Sequence, residues 1–332
     1  MKRLFTVLVG VLLSATVLSA WAQSSLRVGV LAYRPKAQAT AQWQPLAAYL
    51  GTALARPVEL IAYSMPELDA AVAARAVDVV FTTPSHFIAL QRAHGLSAPV
   101  ATQVTLYQGT ELSVFGGVVF ARADRATIGT LADLTGQRIA LTNTAFLGGY
   151  PMQAVELLDA GFALPQPEQL LATGMPQDQV VQAVLTGTGF VRTGVLEAMA
   201  RERTLELDQI KIINRQNLPG FPWLTSTRLY PDWPVALMPG VDARVARQLT
   251  VALLSLPPEH VAAAAAQIHG FTTAADYSSV DGVLRRLHMP PYDTPSALNL
   301  RDVWAQHAEV VAGVLGVLTL VLAGGGAWLV RQ

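Results

Sequence analysis

Residues 77–91 read VDVVFTTPSHFIALQ, and they indicate a strand that leads directly into a helix. An apolar run of this length is typical of a buried strand. The hydroxyl residues and the proline that follow it, at 82–85, are typical of a helix N-terminus, where they cap unpaired N–H groups. The same position can bind an anion, because the free N–H groups and the helix dipole point towards it. The stretch alone leaves both interpretations open, the helix cap and the ligand donor.

The same order of strand and helix recurs along the chain. Strands are predicted at residues 27–33, 58–63, 77–82, 100–107, 114–121, 138–142, 211–214 and 234–238. Helices are predicted at residues 42–53, 65–75, 85–94, 149–159, 177–185, 195–203, 242–255, 258–268 and 280–287. This alternation favours an α/β fold with mostly parallel strands. Trp43 shares a helical spacing with Leu46 and Leu50, so we expect it in the core.

A second strand-to-helix junction, RIALTNTAFLGGY at 138–150, repeats the pattern of the first. Its Gly148 and Gly149 allow backbone N–H groups to approach a ligand closely, although a plain turn would look the same. Ligands of open α/β sheets bind at the carboxyl ends of strands, where both junctions lie. Two such ends that face each other across a cleft would form a clamp.

Two further stretches carry candidate ligand contacts. GFVRTGVLE at 189–197 places Arg192 and Thr193 before a helix, and a guanidinium offers a planar fork for an oxyanion. A solvent-exposed surface arginine is the alternative. The stretch at 218–238, LPGFPWLTSTRLYPDWPVALM, is interrupted by prolines, which argue against a helix. Its Trp223 either forms a cleft wall or packs with a crossover loop on the sheet.

Composition excludes several classes of function. Lys and Arg number 23, as do Asp and Glu, and this balance argues against nucleic-acid binding. With no cysteine, the chain has no disulfide, no thiolate chemistry and no cysteine zinc site. The histidines are scattered, and no phosphate loop, nucleophile elbow or zinc-protease motif occurs. We therefore expect neither an enzyme, a kinase catalytic domain included, nor a metal site nor a cofactor.

Both termini resemble membrane-targeting segments. Residues 1–22 combine Lys2 and Arg3, an apolar run and a final Ala-Trp-Ala, which predicts a cleaved signal peptide; an uncleaved anchor is the alternative. Residues 310–330 contain no charged residue and are long enough to span a bilayer, and Arg331 suits a cytoplasmic end. We expect a protein on the periplasmic face of the inner membrane, tethered by this single helix through a linker at 291–309.

Five stretches together resemble the periplasmic phosphonate/phosphate-type solute-binding family. They are LRVGVLAYRP, AVDVVFTTPSHF, TGQRIALTNTAFLGGY, VQAVLTGTGFVRTGVLE and LPGFPWLTSTRLYPDW. Within the family, the chain is most similar to the periplasmic sensor domains of tetrathionate-sensor-type histidine kinases. It departs from them in a shorter segment before Gly189, which predicts a trimmed strand lead-in and a displaced Arg192, and in Trp223, where such sensors tend to carry a cysteine.

The resemblance implies a two-lobe periplasmic-binding-protein fold of type II-like topology. Lobe one would comprise residues 26–115 and 228–290, and lobe two residues 116–227. The lobes would close on the ligand. Ligand contacts implied by the resemblance, together with the candidate Trp223, are Tyr33, Thr82, Thr83, Ser85, His86, Thr144, Phe146, Gly148, Gly149, Tyr150, Arg192 and Thr193. Among the hydroxyls Ser85 is the first choice, because its Oγ and the helix N–H groups would converge on one anion.

These expectations lead to one functional hypothesis and one alternative. The hypothesis is a membrane-anchored binding protein for a small anion, of the phosphonate/phosphate or sulfur oxyanion class. Hinge closure on the ligand would serve as sensory input to a histidine kinase in a two-component system. The alternative is the tethered substrate-binding component of an ABC importer, which would dock on a permease.

Overall fold

The computed structural model of the protein describes residues 24–184 and 187–293. The predicted signal peptide at 1–22, the predicted membrane helix at 310–330 and all but the first residues of the linker lie outside this part. Among the described residues, no helix is both long enough and apolar enough to cross a membrane.

The first sheet has six strands in the order β15–β4–β14–β3–β1–β2. These strands are β1 (Leu26–Leu31), β2 (Val58–Tyr63), β3 (Val79–Phe81), β4 (Ala101–Gln103), β14 (Pro234–Leu237) and β15 (Phe271–Thr272). β1 pairs in parallel with both β2 and β3, whereas β14, β4 and β15 join as antiparallel strands. The helices of this lobe are α1 (Lys36–Ala53), α2 (Met65–Ala73), α3 (Pro84–His94), α7 (Ala243–Leu254) and α8 (Val261–Ala266).

The second sheet has five strands in the order β10–β9–β11–β8–β12. These are β8 (Gly117–Arg122), β9 (Ile139–Leu141), β10 (Leu170–Ala172), β11 (Thr188–Arg192) and β12 (Ile210–Ile213), with helices α4 (Pro151–Asp159), α5 (Asp178–Ala183) and α6 (Val195–Arg201). β9 lies parallel to β10 and β11, and β8 runs antiparallel to β11 and β12. The second sheet, with the first, confirms the expected α/β class and two-lobe arrangement.

Two chain crossovers connect the sheets. They pair as β7 (Val114–Phe115) and β13 (Tyr230–Pro231), an antiparallel ribbon in which Tyr230 lies opposite Phe115. Such a pair of short crossovers is the element about which two lobes can rotate. The final described helix, α9 (Ser278–Arg286), contacts this ribbon and a helix of each lobe, α3 and α4.

Trp43 on α1 confirms the prediction that it belongs to the core. Its side chain is 1% exposed and packs edge-on against Phe81 of β3, with ring centroids 5.0 Å apart. The second lobe has its own core, in which Val119, Ile139 and Phe190 are buried between the sheet and α4. Each sheet therefore forms one layer of a separate core, as expected for layered α/β units.

Some predicted elements were wrong in their extent, among them the strand at 114–121, which divides into β7 of the ribbon and β8 of the second sheet. The first helix begins at Lys36 rather than at Gln42, directly after Pro35. The single strand predicted at 100–107 breaks at Val104, whose N–H donates to the carbonyl of Gly270. Beyond this break, β5 (Thr105–Tyr107) leaves the sheet and forms a hairpin with β6 (Thr110–Leu112). A run of β-forming residues does not reveal such a change of partner.

Candidate ligand-binding site

A cavity of 470 Å³ receives residues from both lobes. Tyr33 follows β1, Thr83 follows β3, the segment 146–149 follows β9, and Arg192 ends β11; all four line the cavity. The site therefore lies at the carboxyl ends of the strands, where open α/β sheets bind their ligands. Aromatic rings supply much of the wall, and those lining the cavity are Tyr33, Trp43, Phe115, Phe146, Trp223 and Trp233.

Thr83 occupies the N-cap position of α3, but its side chain makes no capping hydrogen bond. The residue is only 9% exposed and lines the cavity. Its Oγ1 is buried and has no hydrogen-bond partner among the described residues. A buried hydroxyl without a partner is costly, so such an atom requires an explanation. The capping interpretation therefore fails for Thr83, and a ligand oxygen would supply the missing partner.

Thr82, Ser85 and His86, the other polar side chains of this junction, do not line the cavity. The Thr82 hydroxyl and Nδ1 of His86 are 2.8 Å apart, and Nε2 of His86 lies 2.8 Å from Asp69. Burial lowers the pKa of His86, and the hydrogen bond with Asp69 opposes this shift. Ser85 donates its hydroxyl to the carbonyl of Ala145 in the other lobe, over 3.3 Å. Thr82 and His86 thus fix the start of α3, and Ser85 joins the lobes.

The segment after β9 approaches the cavity with Gly148 and Gly149. The Gln153 side chain donates to the carbonyl of Gly148 and to that of Val191, at 2.9 and 3.0 Å, and so holds this segment against β11. A Cβ added at Gly148 would lie 2.7 Å from Cβ of Arg192. Only glycine permits this approach, because real Cβ contacts do not become so short.

Arg192 is held from several sides. Its Nη2 donates to Oδ2 of Asp232 at 3.2 Å, and its guanidinium lies over the ring of Phe115, 4.5 Å from the centroid. Its backbone N–H donates to Gln177 at 2.8 Å. The side chain remains 26% exposed and lines the cavity. A guanidinium has five N–H donors, and Asp232 accepts from one of them. Other donors of Arg192 can therefore contact a ligand.

The part of the cavity wall formed by Trp223 is held by the buried carboxyl group of Glu197. Trp223 packs against Tyr107 of the β5–β6 hairpin, with centroids 5.2 Å apart. Glu197 in the first turn of α6 accepts the N–H of Leu224 at 2.6 Å, and is 8% exposed. Its second oxygen has no partner among the described residues. Burial raises the pKa of Glu197, and hydrogen bonds from backbone N–H groups oppose the shift only in part.

Glu197→Gln is expected to change how stability depends on pH. Since burial raises the pKa of Glu197 above its ordinary 4.5, the folded state binds the proton more tightly than the unfolded state. The resulting stabilisation is complete below pH 4.5 and is lost as the pH rises through the raised pKa. At pH 7 the glutamine variant should therefore melt at or above the wild-type temperature, with the difference vanishing in acid.

Melting temperatures from pH 3.5 to 8 measure this effect, with the exposed Glu168→Gln as control. A glutamine variant that melts lower than wild type at neutral pH, by the same margin at every pH, would show that Glu197 acts through another contact.

The structure brings together eight of the residues predicted from the sequence. Those lining the cavity are Tyr33, Thr83, Phe146, Gly148, Gly149, Arg192, Thr193 and Trp223. Those placed elsewhere are Thr82, Ser85, His86, Thr144 and Tyr150. Thr144 is exposed, and Tyr150 is buried in the core of lobe two beside Phe190. Asp232, Glu197 and Phe115 were not predicted.

Residues 28–278 match the family model described as "ABC transporter, phosphonate, periplasmic substrate-binding protein". The chain belongs to this phosphonate-type periplasmic binding family. The family's description names a substrate-binding protein, which agrees with the expectation that the cavity residues bind a ligand. The tetrathionate sensor histidine kinase of Salmonella typhimurium is 30% identical over 302 residues, or 89% of this chain and 49% of that protein. The chain thus spans about half the length of this curated relative. Both sequence resemblances are confirmed.

Two solved structures show the same fold. XAC2383 from Xanthomonas citri bound to ATP has a TM-score of 0.65 at 20% identity, covering 80% of this chain and 98% of that one. PhnD1 from Prochlorococcus marinus in complex with methylphosphonate has a TM-score of 0.62 at 14% identity, again over 80% of this chain and 98% of the other. These similarities confirm the two-lobe architecture.

Proposed function

We propose that the protein is a membrane-anchored periplasmic binding protein that closes on a small anion and serves as a sensory input. One observation carries the proposal: the unpartnered Thr83 hydroxyl at the N-terminus of α3 and the guanidinium of Arg192 line one cavity from different lobes. Helix N-termini and arginine are the groups that proteins use to bind phosphoryl and related oxyanions. The candidate ligands are phosphonates, phosphate and sulfur oxyanions.

Hinge closure would follow from where the two donors reside. A ligand that contacts Thr83 on lobe one and Arg192 on lobe two binds the closed arrangement better than the open one, so it shifts the population towards closure. The β7–β13 ribbon provides the hinge, and its strands contribute Phe115 under the guanidinium of Arg192. Binding and lobe rotation would thus be coupled through the same few residues.

The position of α9 favours a sensory role. Arg286 on α9 and Arg228 beside the hinge both pair with Asp159 at the end of α4, and Arg228 also pairs with Glu156 at 3.0 Å. α9 additionally contacts α3, whose N-terminus lies at the cavity. Closure of the lobes would therefore move the last described helix, from which the chain continues towards the predicted membrane segment.

Import is the second candidate function, and the description of the matched family favours it, because that description names an ABC transporter. The two roles differ in their partner: a sensor passes closure to a histidine kinase, whereas an importer docks on a permease. The genes beside this one distinguish them. A kinase and a response regulator support sensing, and a permease and an ATPase support import.

A thermal-shift screen tests whether the cavity binds anions. Methylphosphonate, inorganic phosphate, sulfate, thiosulfate and tetrathionate would each be added to the purified protein. A ligand of the folded state raises the melting temperature by mass action. Stabilisation by at least one of these anions is expected, and a well-folded protein that none of them stabilises would contradict the proposal.

Thr83→Val is expected to weaken binding of the best anion in that screen by about 10- to 30-fold, the lower part of the range for one hydrogen bond to a charged group. The melting temperature without ligand should hardly change, because the hydroxyl has no partner among the described residues. Isothermal titration calorimetry measures the dissociation constant.

Two matched variants sharpen this measurement. Thr83→Ser keeps the hydroxyl and should keep the affinity, whereas Thr82→Val removes the hydroxyl that contacts His86 and should lower the melting temperature instead. Equal affinities of the Thr83→Val and Thr83→Ser variants would remove Thr83 from the site.

A further inference from the structure

The cation that faces the cavity from lobe two is already paired with a carboxylate. Arg192 ends β11 in lobe two, whereas Asp232 lies between β13 and β14, next to the hinge. Asp232 is 0% exposed, and its Oδ2 accepts from Arg192 at 3.2 Å. The pair therefore joins the two lobes directly behind the cavity wall.

Asp232 is fixed in place by its other contacts. Its Oδ1 accepts the N–H of Trp233 at 2.9 Å, its own N–H donates to the carbonyl of Ser113 at 2.8 Å, and its carbonyl accepts the hydroxyl of Tyr277 at 2.6 Å. Because the residue is held at both its backbone and its side chain, it cannot turn away when a ligand arrives. An anion bound to Arg192 would meet the field of this carboxylate as well.

The other charges around the cavity do not make it strongly basic. Among the described residues that line it, Arg34 and Arg192 are the cations, and Asp178 and Glu202 are the acids. Arg34 is exposed at the rim and lies beside the ring of Tyr33, 5.7 Å from the centroid. When Asp232 behind the wall is included, these described residues carry at least as many acidic as basic side chains.

We infer that Asp232 sets the charge of the anion that the site accepts, so that a singly charged oxyanion binds in preference to a doubly charged one. The inference rests on the proposed anion-binding function. A second charge on the ligand doubles the attraction to Arg192 but also doubles the repulsion from Asp232, while its desolvation becomes much more costly. Asp232 thus acts as a positioning and specificity residue through Arg192.

Sulfate and methanesulfonate provide the test, because both are tetrahedral sulfur oxyanions and they differ in charge. Calorimetry at constant ionic strength gives the ratio of their dissociation constants, sulfate over methanesulfonate. Wild type is expected to bind methanesulfonate more tightly. Asp232→Asn removes the carboxylate charge with little change of shape, and should lower the ratio about tenfold or more. Methanesulfonate also differs from sulfate by its methyl group. The contribution of this group to the ratio cancels when the ratio of the variant is compared with that of wild type.

Asp124→Asn is the matched control, since Asp124 forms an exposed ion pair with Arg122 away from the cavity, and its ratio should equal that of wild type. An unchanged ratio in a folded Asp232→Asn variant would overturn the inference while leaving the proposed function intact. If that variant does not fold, tighter binding of sulfate than of methanesulfonate by wild type would overturn it. Binding of neither anion by any protein would overturn the inference and contradict the proposed function for sulfur oxyanions.

Discussion

Arg192→Gln is expected to weaken binding of an anion by about 100-fold or more, the usual effect of truncating one partner of a buried charged contact. Arg192 supplies the guanidinium that faces the cavity from lobe two. Glutamine keeps one amide NH₂ group but neither the charge nor the planar fork. The variant should also melt at a lower temperature, because Asp232, which is 0% exposed, would be left without its ion-pair partner.

A double variant separates the two effects. In Arg192→Gln/Asp232→Asn neither charge remains, so the melting temperature should recover towards that of wild type. Anion binding should not recover, because the cation is still missing. Calorimetry and thermal melts of the wild type and the three variants complete the cycle. If affinity returned together with stability in the double variant, the loss in Arg192→Gln would reflect disorder of the cavity, and Arg192 would not be a ligand contact.

The sequence predicted the fold best where an element is determined by interactions between residues that are close in the sequence. The junction at 77–91 forms a strand and a helix as predicted, because burial of the strand and the N-terminal turn are both local properties. The boundary at Val104 could not be predicted, since it depends on backbone hydrogen bonds to residues 269–270, far along the chain. The strand that ends at Arg192 pairs over five residues with β8, and Arg192 lines the cavity.

The sequence predicted which strand-to-helix junctions form the site, but it did not predict which of their side chains point into the cavity. Thr82, Thr83 and Ser85 are equivalent hydroxyls in the sequence, yet only Thr83 lines the cavity. Thr82 contacts His86, and Ser85 contacts Ala145. Which of these hydroxyls faces the cavity depends on how the first turn of α3 is oriented against residues that are distant in the sequence. Asp232 was quoted within the stretch at 218–238, but a single acid beside prolines gives no sign that an arginine from another strand will contact it.

Gly148→Ala is expected to reduce both stability and affinity. A Cβ at this position would lie 2.7 Å from Cβ of Arg192, 3.1 Å from the ring of Phe115 and 3.4 Å from Cα of Arg192. None of these atoms is the free end of a flexible side chain, so the segment at 146–149 must move away from β11. Overpacking of this kind costs about 1–3 kcal/mol of unfolding free energy. Affinity should fall about 30-fold, the loss of one hydrogen bond to a charged group.

Gly282→Ala provides the control, because a Cβ added there, inside α9, would meet open space beyond its own helix. This substitution should stabilise the protein by about 0.5–1 kcal/mol, as glycine is unfavourable within a helix. Urea denaturation gives the two free energies, and calorimetry gives the affinities. Wild-type stability with reduced affinity in Gly148→Ala would show that the segment can yield and that only the ligand requires its close approach. If the free energy of unfolding and the affinity both kept their wild-type values, the segment would not pack against Arg192 in solution. It would then not form part of the cavity wall.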